Sequence, residues 1–147
     1  MNDDSQTTDE AQIRFLLDAW ADALRAKDAD KILSLYSPDV VAFDVVPPLQ
    51  YAGTEAYGRS FRRMFDGFRG PIAFETRDLS VEAGAGVAFS HSLVRTSGTT
   101  KSGQEIDRWL RRSLCFRKIA GTWRITHEHV SLPVNLESGN VVLNLQP

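Results

Sequence analysis

The spacing of apolar side chains changes near Pro71, and that change limits the folds open to this chain. Before Pro71, one short run apart, they recur every three or four residues, the period of an amphipathic helix; after it they recur every second residue, the period of a strand. Ile13, Leu16, Leu17, Trp20 and Leu24 share one face of a helix expected to begin near Thr8 or Asp9. Asp28 is suited to cap a short second helix through Tyr36, ended by Ser37-Pro38-Asp39. Val40 to Val46 is a β-branched and aromatic run that Pro47-Pro48 must stop, because proline cannot donate to a ladder. After Gly53, Tyr57, Phe61, Met64 or Phe65, and Phe68 predict a third helix ending at Gly67 or Gly70, with Arg59, Arg62 and Arg63 on its other side. Four period-two runs follow, Ile72 to Glu82, Val87 to Thr96, Glu105 to Lys118 and Thr122 to Leu132, joined by short glycine-bearing turns. Short turns join antiparallel neighbours, so the second half reads as a meander. Helices first and strands after predict an α+β domain with the helices gathered on one face of a sheet.

With 147 residues the chain can bury one core, and it is expected to divide into a disordered tail over residues 1–8, one domain over 9–133 and an extension over 134–147. The extension carries Val141, Val142, Leu143 and Leu145, apolar enough to dock on the domain or on a partner. A formal charge of -2 gives no broad basic field, so nucleic acid is not an expected partner. No run approaches the roughly 20 apolar residues of a membrane span, and the start Asn2-Asp3-Asp4 is unlike a secretory leader, so the expected place is the cytoplasm. The lone Cys115 cannot form an internal disulfide.

The segment Trp20 to Ala42, WADALRAKDADKILSLYSPDVVA, leads into Phe43-Asp44 and then Gly53-Thr54-Glu55-Ala56-Tyr57. It resembles the paired N-terminal helices of SnoaL-like and ketosteroid-isomerase-like proteins, the nuclear transport factor two-like superfamily. Gly121-Thr122-Trp123-Arg124-Ile125-Thr126-His127-Glu128-His129 is similar to the last strand of SnoaL-like domains and of the association domain of calmodulin-dependent kinase. Together these cover residues 10 to 133 nearly throughout. The resemblance implies a cone-shaped half-barrel, a curved and mostly antiparallel sheet wrapped around three N-terminal helices, open at one end to a small apolar organic ligand. It also implies a homodimer through the back of the sheet. It names no reaction, because this fold hosts isomerases, dehydratases, cyclases, hydrolases and non-catalytic assembly modules.

Asp44 falls where ketosteroid isomerase carries its general-base aspartate, and it is the leading catalytic candidate. Among Phe43, Val45, Val46 and two prolines its carboxylate would be partly desolvated and a better proton acceptor; the alternative is an exposed turn aspartate. In that enzyme the base works with a tyrosine and a neutral aspartic acid as oxyanion donors. Here Trp20 stands at the tyrosine position and Leu114 nearest the acid, so steroid isomerisation is not implied, and Trp20 is either an indole donor or plain core. In the second long strand Val87, Phe89, His91 and Leu93 share a mostly apolar face, expected to be internal. This makes His91 a second catalytic candidate and Phe89 a pocket residue, with a satisfied core histidine as the alternative.

Tyr57, which could donate to an oxyanion, and Phe61 are expected in the pocket from the third helix. In the third long strand Leu110, Arg112, Leu114 and Phe116 read as the inner face, with Arg112 either binding an oxyanion or forming a rim ion pair. The last strand is ambiguous. Composition turns Trp123 and Ile125 inward, whereas the resemblance implies that Glu128 and Val130 line the pocket and His127 and His129 lie on the back. His127-x-His129 could hold a metal only with a third ligand, so no metal is expected. Two functions follow: a cofactor-independent isomerase, cyclase or dehydratase acting on an apolar carbonyl compound, or a non-catalytic ligand-binding or assembly module.

Overall fold

The computed structural model describes residues 2–147 and, from Asp4 onward, their side chains. Three helices, α1 (Asn2–Arg25), α2 (Ala29–Ser34) and α3 (Thr54–Gly67), pack against the inner side of one curved open sheet. Its strands are β1 (Tyr36–Phe43), β2 (Tyr51–Ala52), β3 (Phe68–Ala83), β4 (Val87–Thr100), β5 (Glu105–Ile119) and β6 (Thr122–Ser131). Their order across the sheet is β2-β1-β6-β5-β4-β3, with every pairing antiparallel except β1 with β6. The meander, the three helices and the α+β class are as the periodicity predicts.

The first helix begins at Asn2, ahead of the expected start near Thr8, so residues 2–8 are helical where a disordered tail was expected. Acidic side chains such as Asp4 suit a helix N-terminus, where unpaired N–H groups present partial positive charge. Further along, Asp9 fixes the helix to the sheet by accepting from Lys118 Nζ and Trp123 Nε1, each at 3.0 Å. The expected stripe Ile13, Leu16, Trp20 and Leu24 is buried, while Phe15 is exposed on the opposite face. Arg25 then donates to the Phe74 carbonyl, closing α1 over β3.

Asp28 caps α2 as expected, its carboxylate accepting from Lys31 N at 3.0 Å. The helix is shorter than expected and ends at Ser34, and Tyr36 opens a strand instead of closing a helix. The reason is the parallel partner: Tyr36 pairs with Ile125, and Val41 to Phe43 pair with His127 to His129. That pairing pulls the strand's start upstream of Val40, and its end falls at Phe43, before the two prolines.

Candidate functional site

Cross-strand partners in an antiparallel pair share a face, so register decides which side chains reach the interior. Leu110, Arg112, Leu114 and Phe116 of β5 point inward, as expected, with Arg112, Leu114 and Phe116 buried. Their partners on β4 are Val94, Ser92, Ser90 and Ala88. Phe89 and His91 lie opposite Cys115 and Ser113, on the outer face, and both are exposed. The expected inner placement of His91 and Phe89 is therefore reversed, and neither belongs to the site. The physical reason is the pairing register with β5: Ala88, Ser90 and Ser92 stand beside the buried Phe116, Leu114 and Arg112 on the inner face, and the larger Val87 and Phe89 are turned out.

The last strand resolves its ambiguity by having both facings. Cys115 pairs with His127 and Phe116 with Ile125, so Thr126 is an extra residue, a β-bulge that moves the facing by one. Trp123 and Ile125 point inward before it and Glu128 points inward after it, all three buried. His127 and His129 pack their rings on Phe43 on the outer side, and His127 Nδ1 lies 2.6 Å from the Val41 carbonyl. Among the described residues no three His, Cys, Asp or Glu side chains are grouped to hold a metal ion.

The bulge delivers Glu128 to the centre of a buried polar network. Its Oε1 accepts from Arg112 Nε at 2.9 Å. Its Oε2 accepts from the Tyr36 hydroxyl at 2.5 Å and lies 3.2 Å from the Tyr57 hydroxyl. Trp20 is buried and lines neither of the two cavities described below; its Nε1 donates to the Tyr36 oxygen at 2.9 Å, and its ring lies 3.8 Å beneath the Arg112 guanidinium. Trp20 is thus a member of the core that also supports a charge, by a contact worth about 2 kcal/mol when desolvated. Burial opposes the charge on Arg112, but the Glu128 carboxylate and the Tyr36 and Tyr57 phenols together outweigh it and the guanidinium stays protonated. Burial, reinforced by the Glu128 charge, pushes both phenols well above their ordinary range, so Tyr36 and Tyr57 remain proton donors.

Tyr57 connects this network to a cleft. Its hydroxyl lies 3.1 Å from Asp44 Oδ2, nearly as close as it lies to Glu128, yet it has one proton to give. Asp44 follows Phe43 at the end of β1, and its Oδ1 accepts from the Val45 N–H at 2.7 Å. Burial pushes the Asp44 carboxyl above the usual aspartate range and the Glu128 charge adds to the rise; the Val45 and Tyr57 hydrogen bonds oppose it without cancelling it. Asp44, Tyr57 and Phe61 line a cleft of about 660 Å³ whose walls are mostly apolar, including Val46, Met64, Phe68, Ile106 and Leu132. Asp44 is the only acidic residue among the lining residues. Of the expected site residues, Asp44, Tyr57 and Phe61 meet in this cleft. Arg112 and Glu128 lie behind Tyr57, and Arg112 also borders a second, polar cavity of about 470 Å³ under α1 with Ser90 and Ser92.

Sequence reasoning missed Tyr36, since a tyrosine placed at the end of a helix carries no sign that its hydroxyl will meet Glu128, 92 positions on.

Residues 13–135 match the SnoaL-like domain family. The chain belongs to it. An NTF2-like protein of unknown function from Pseudomonas putida KT2440 is 32% identical, with a TM-score of 0.88 over 96% of this chain and 98% of that one. A ketosteroid isomerase-like protein from Erwinia carotovora atroseptica is 22% identical, with a TM-score of 0.72 over 83% and 94% of the two chains. A candidate scytalone dehydratase from Novosphingobium aromaticivorans is 14% identical, with a TM-score of 0.78 over 88% and 87%. The last two likenesses are likenesses of fold. No curated protein matches the chain. None of the helices of this SnoaL-like chain is long and apolar enough to cross a membrane, among the described residues.

Proposed function

We propose that this SnoaL-like protein is an acid–base enzyme that moves a proton next to the carbonyl group of a small, largely apolar compound without a cofactor, in an isomerisation, cyclisation or dehydration. The observation that carries this reading is the position of Asp44, a carboxylate with a raised pKa at an apolar cleft. A base so placed is strengthened toward the working pH, and such groups contribute about 10²–10⁴-fold to rate.

The Tyr57 hydroxyl gives the base a way to serve in both protonation states. While Asp44 is ionised, Tyr57 donates to it. Once Asp44 has taken the substrate proton, Asp44 donates to the Tyr57 oxygen and the phenolic proton turns to Glu128. Both ends of the proton transfer then have satisfied partners, and Glu128 keeps its charge balanced by Arg112.

The test is deuterium uptake at the α-carbon of apolar ketones in heavy water, followed by NMR. Asp44→Asn is expected to lower the uptake rate at least about 100-fold. Equal uptake in the two proteins would overturn the reading. One observation favours the second function, a binding module without turnover: the Trp20, Tyr36 and Tyr57 donors all have partners inside the protein. On that reading ligands bind the cleft and Asp44→Asn changes no conversion, because there is none.

A further inference from the structure

We propose that the ligand of the 660 Å³ cleft carries a carboxylate, held by Arg63 and Arg108 at the end of the cleft away from Asp44. This deepens the reading above and rests on it: the substrate is an organic acid whose apolar body spans the cleft and whose reacting carbon lies at Asp44.

Most arginines of α3, β4 and β5 have counter-charges within the protein. On α3, Arg59 pairs with Glu55 at 3.1 Å and Arg62 with Asp30 at 2.6 Å. On β5, Arg112 pairs with Glu128 and Arg117 with Asp39. On β4, Arg95 pairs with both Asp107 and Glu75. Arg63 and Arg108 are the arginines of α3 and β5 that line the cleft, and among the described residues neither has an ion pair. Arg108 is half-buried. A guanidinium partly withdrawn from water beside apolar walls gains more from an anion than an exposed one does.

The other charge in the cleft does not serve as their partner. Asp44 is already bonded to Val45 and Tyr57, and burial raises its pKa above the usual aspartate range. It also stands apart from Arg108 along the sheet. Ala42 pairs with Glu128 and Glu128 with Leu114, which puts Asp44 near the level of Arg112. Arg108 lies four residues further along β5, about 13 Å at the rise of a strand. Thr96 stands directly opposite Arg108 in the β4–β5 register, lines the same cleft and offers a hydroxyl to the same group. On α3, Arg63 lies six residues past Tyr57, about 9 Å along the helix, so the cleft is divided, with a proton acceptor at one end, two unpaired cations and a hydroxyl away from it, and apolar side chains between. An apolar molecule with one acidic end matches that division, and a neutral one leaves the cations unmatched.

The experiment compares 2-naphthylacetate with 2-naphthylacetamide, nearly identical in shape and different in charge, by calorimetric titration at low salt. The acid is expected to bind about tenfold more tightly, with the preference shrinking as salt is added. In the Arg63→Gln/Arg108→Gln double variant the acid's Kd is expected to rise about tenfold, to that of the amide. Arg62→Gln, which removes a cation paired outside the cleft, keeps the preference and controls for net charge. Equal binding of acid and amide by the unaltered protein, or a preference that survives the double variant, would overturn the carboxylate while leaving the cleft as an apolar site. Binding of neither probe would overturn both this inference and the pocket on which the proposed function depends.

Discussion

At the scale of the residue, the site turns on one phenolic proton between two carboxylates. Tyr57 cannot donate to Asp44 and Glu128 at once, and Glu128 is the better provided, with Arg112 and Tyr36 already donating to it. Asp44 is left as the group whose protonation the network tolerates most easily. Because the folded protein holds the Asp44 proton more tightly than the unfolded chain, this residue's stabilising contribution is complete below the ordinary aspartate range. It is lost as pH rises through the raised value. On the proposed function activity runs the other way, since a base must be ionised, so the acid limb of kcat/KM is expected above the ordinary aspartate range. Glu128→Gln removes the negative charge that helps to raise Asp44, and the limb is expected to move to lower pH. The same change leaves Arg112 buried without its counter-charge, a loss of about 3–5 kcal/mol that thermal denaturation would register. A limb that stays in place in a folded Glu128→Gln protein would separate the two carboxylates electrically and remove this account.

At the scale of the element, bulges decide what the sequence pattern leaves open. The helical stripe Ile13-Leu16-Trp20-Leu24, the Asp28 cap and the Tyr57-Phe61-Phe65 face were legible because each depends on neighbours a turn away. Asp44 was legible as a candidate because it follows a short run that prolines must end. The facing of β4 was not, because Val87 and Phe89 make the outer side look like a core side, and only pairing with β5 shows Ser90 beside Leu114. The facing of β6 was not legible from alternation either, since an inserted residue breaks the period on which alternation depends. Thr126 makes one side-chain hydrogen bond, to the Cys115 carbonyl at 3.3 Å, so its identity matters little and its presence matters much. Thr126→Ala is expected to cost no more than about 1 kcal/mol. Deleting Thr126 would turn either Ile125 or Glu128 to the outer face. With Glu128 displaced, about 3–5 kcal/mol of buried pairing is lost, along with the proposed exchange of the Tyr57 proton. Urea denaturation of both variants checks this, and a deletion variant as stable as Thr126→Ala would mean that the bulge has no structural role.

At the scale of the whole molecule, the outer face and the C-terminal extension are left without cover. Val87 is 57% exposed, Phe89 50% and Phe43 37%, and these side chains lie on the outer side with His91, His127, His129 and Cys115. Toward the other end of that face Arg77 lies over Trp109, and Arg95 with Glu75 and Asp107 makes a charged cluster, which suits water. The extension turns back on itself, Val134 pairing with Val141 and Val142 donating to the Pro133 carbonyl, and it leaves Leu136, Leu143 and Leu145 exposed. An apolar aromatic patch bordered by charge has the composition of an interface, and a second copy of the same chain offers the matching patch. We propose a homodimer through the Phe43–Phe89 half of the sheet, with the extensions free to reach across the partner. Phe89→Lys would place a cation inside that contact without touching the core or the cleft. Sedimentation velocity is expected to give a dimer for the unaltered chain and a monomer for Phe89→Lys. Cys115 lies directly opposite Phe89 in the register, so its thiol should react faster in the variant, once the partner no longer shields it. A monomer at high concentration in the unaltered protein would refute the dimer, and equal thiol reactivity with a dimer present would place the contact elsewhere on the sheet.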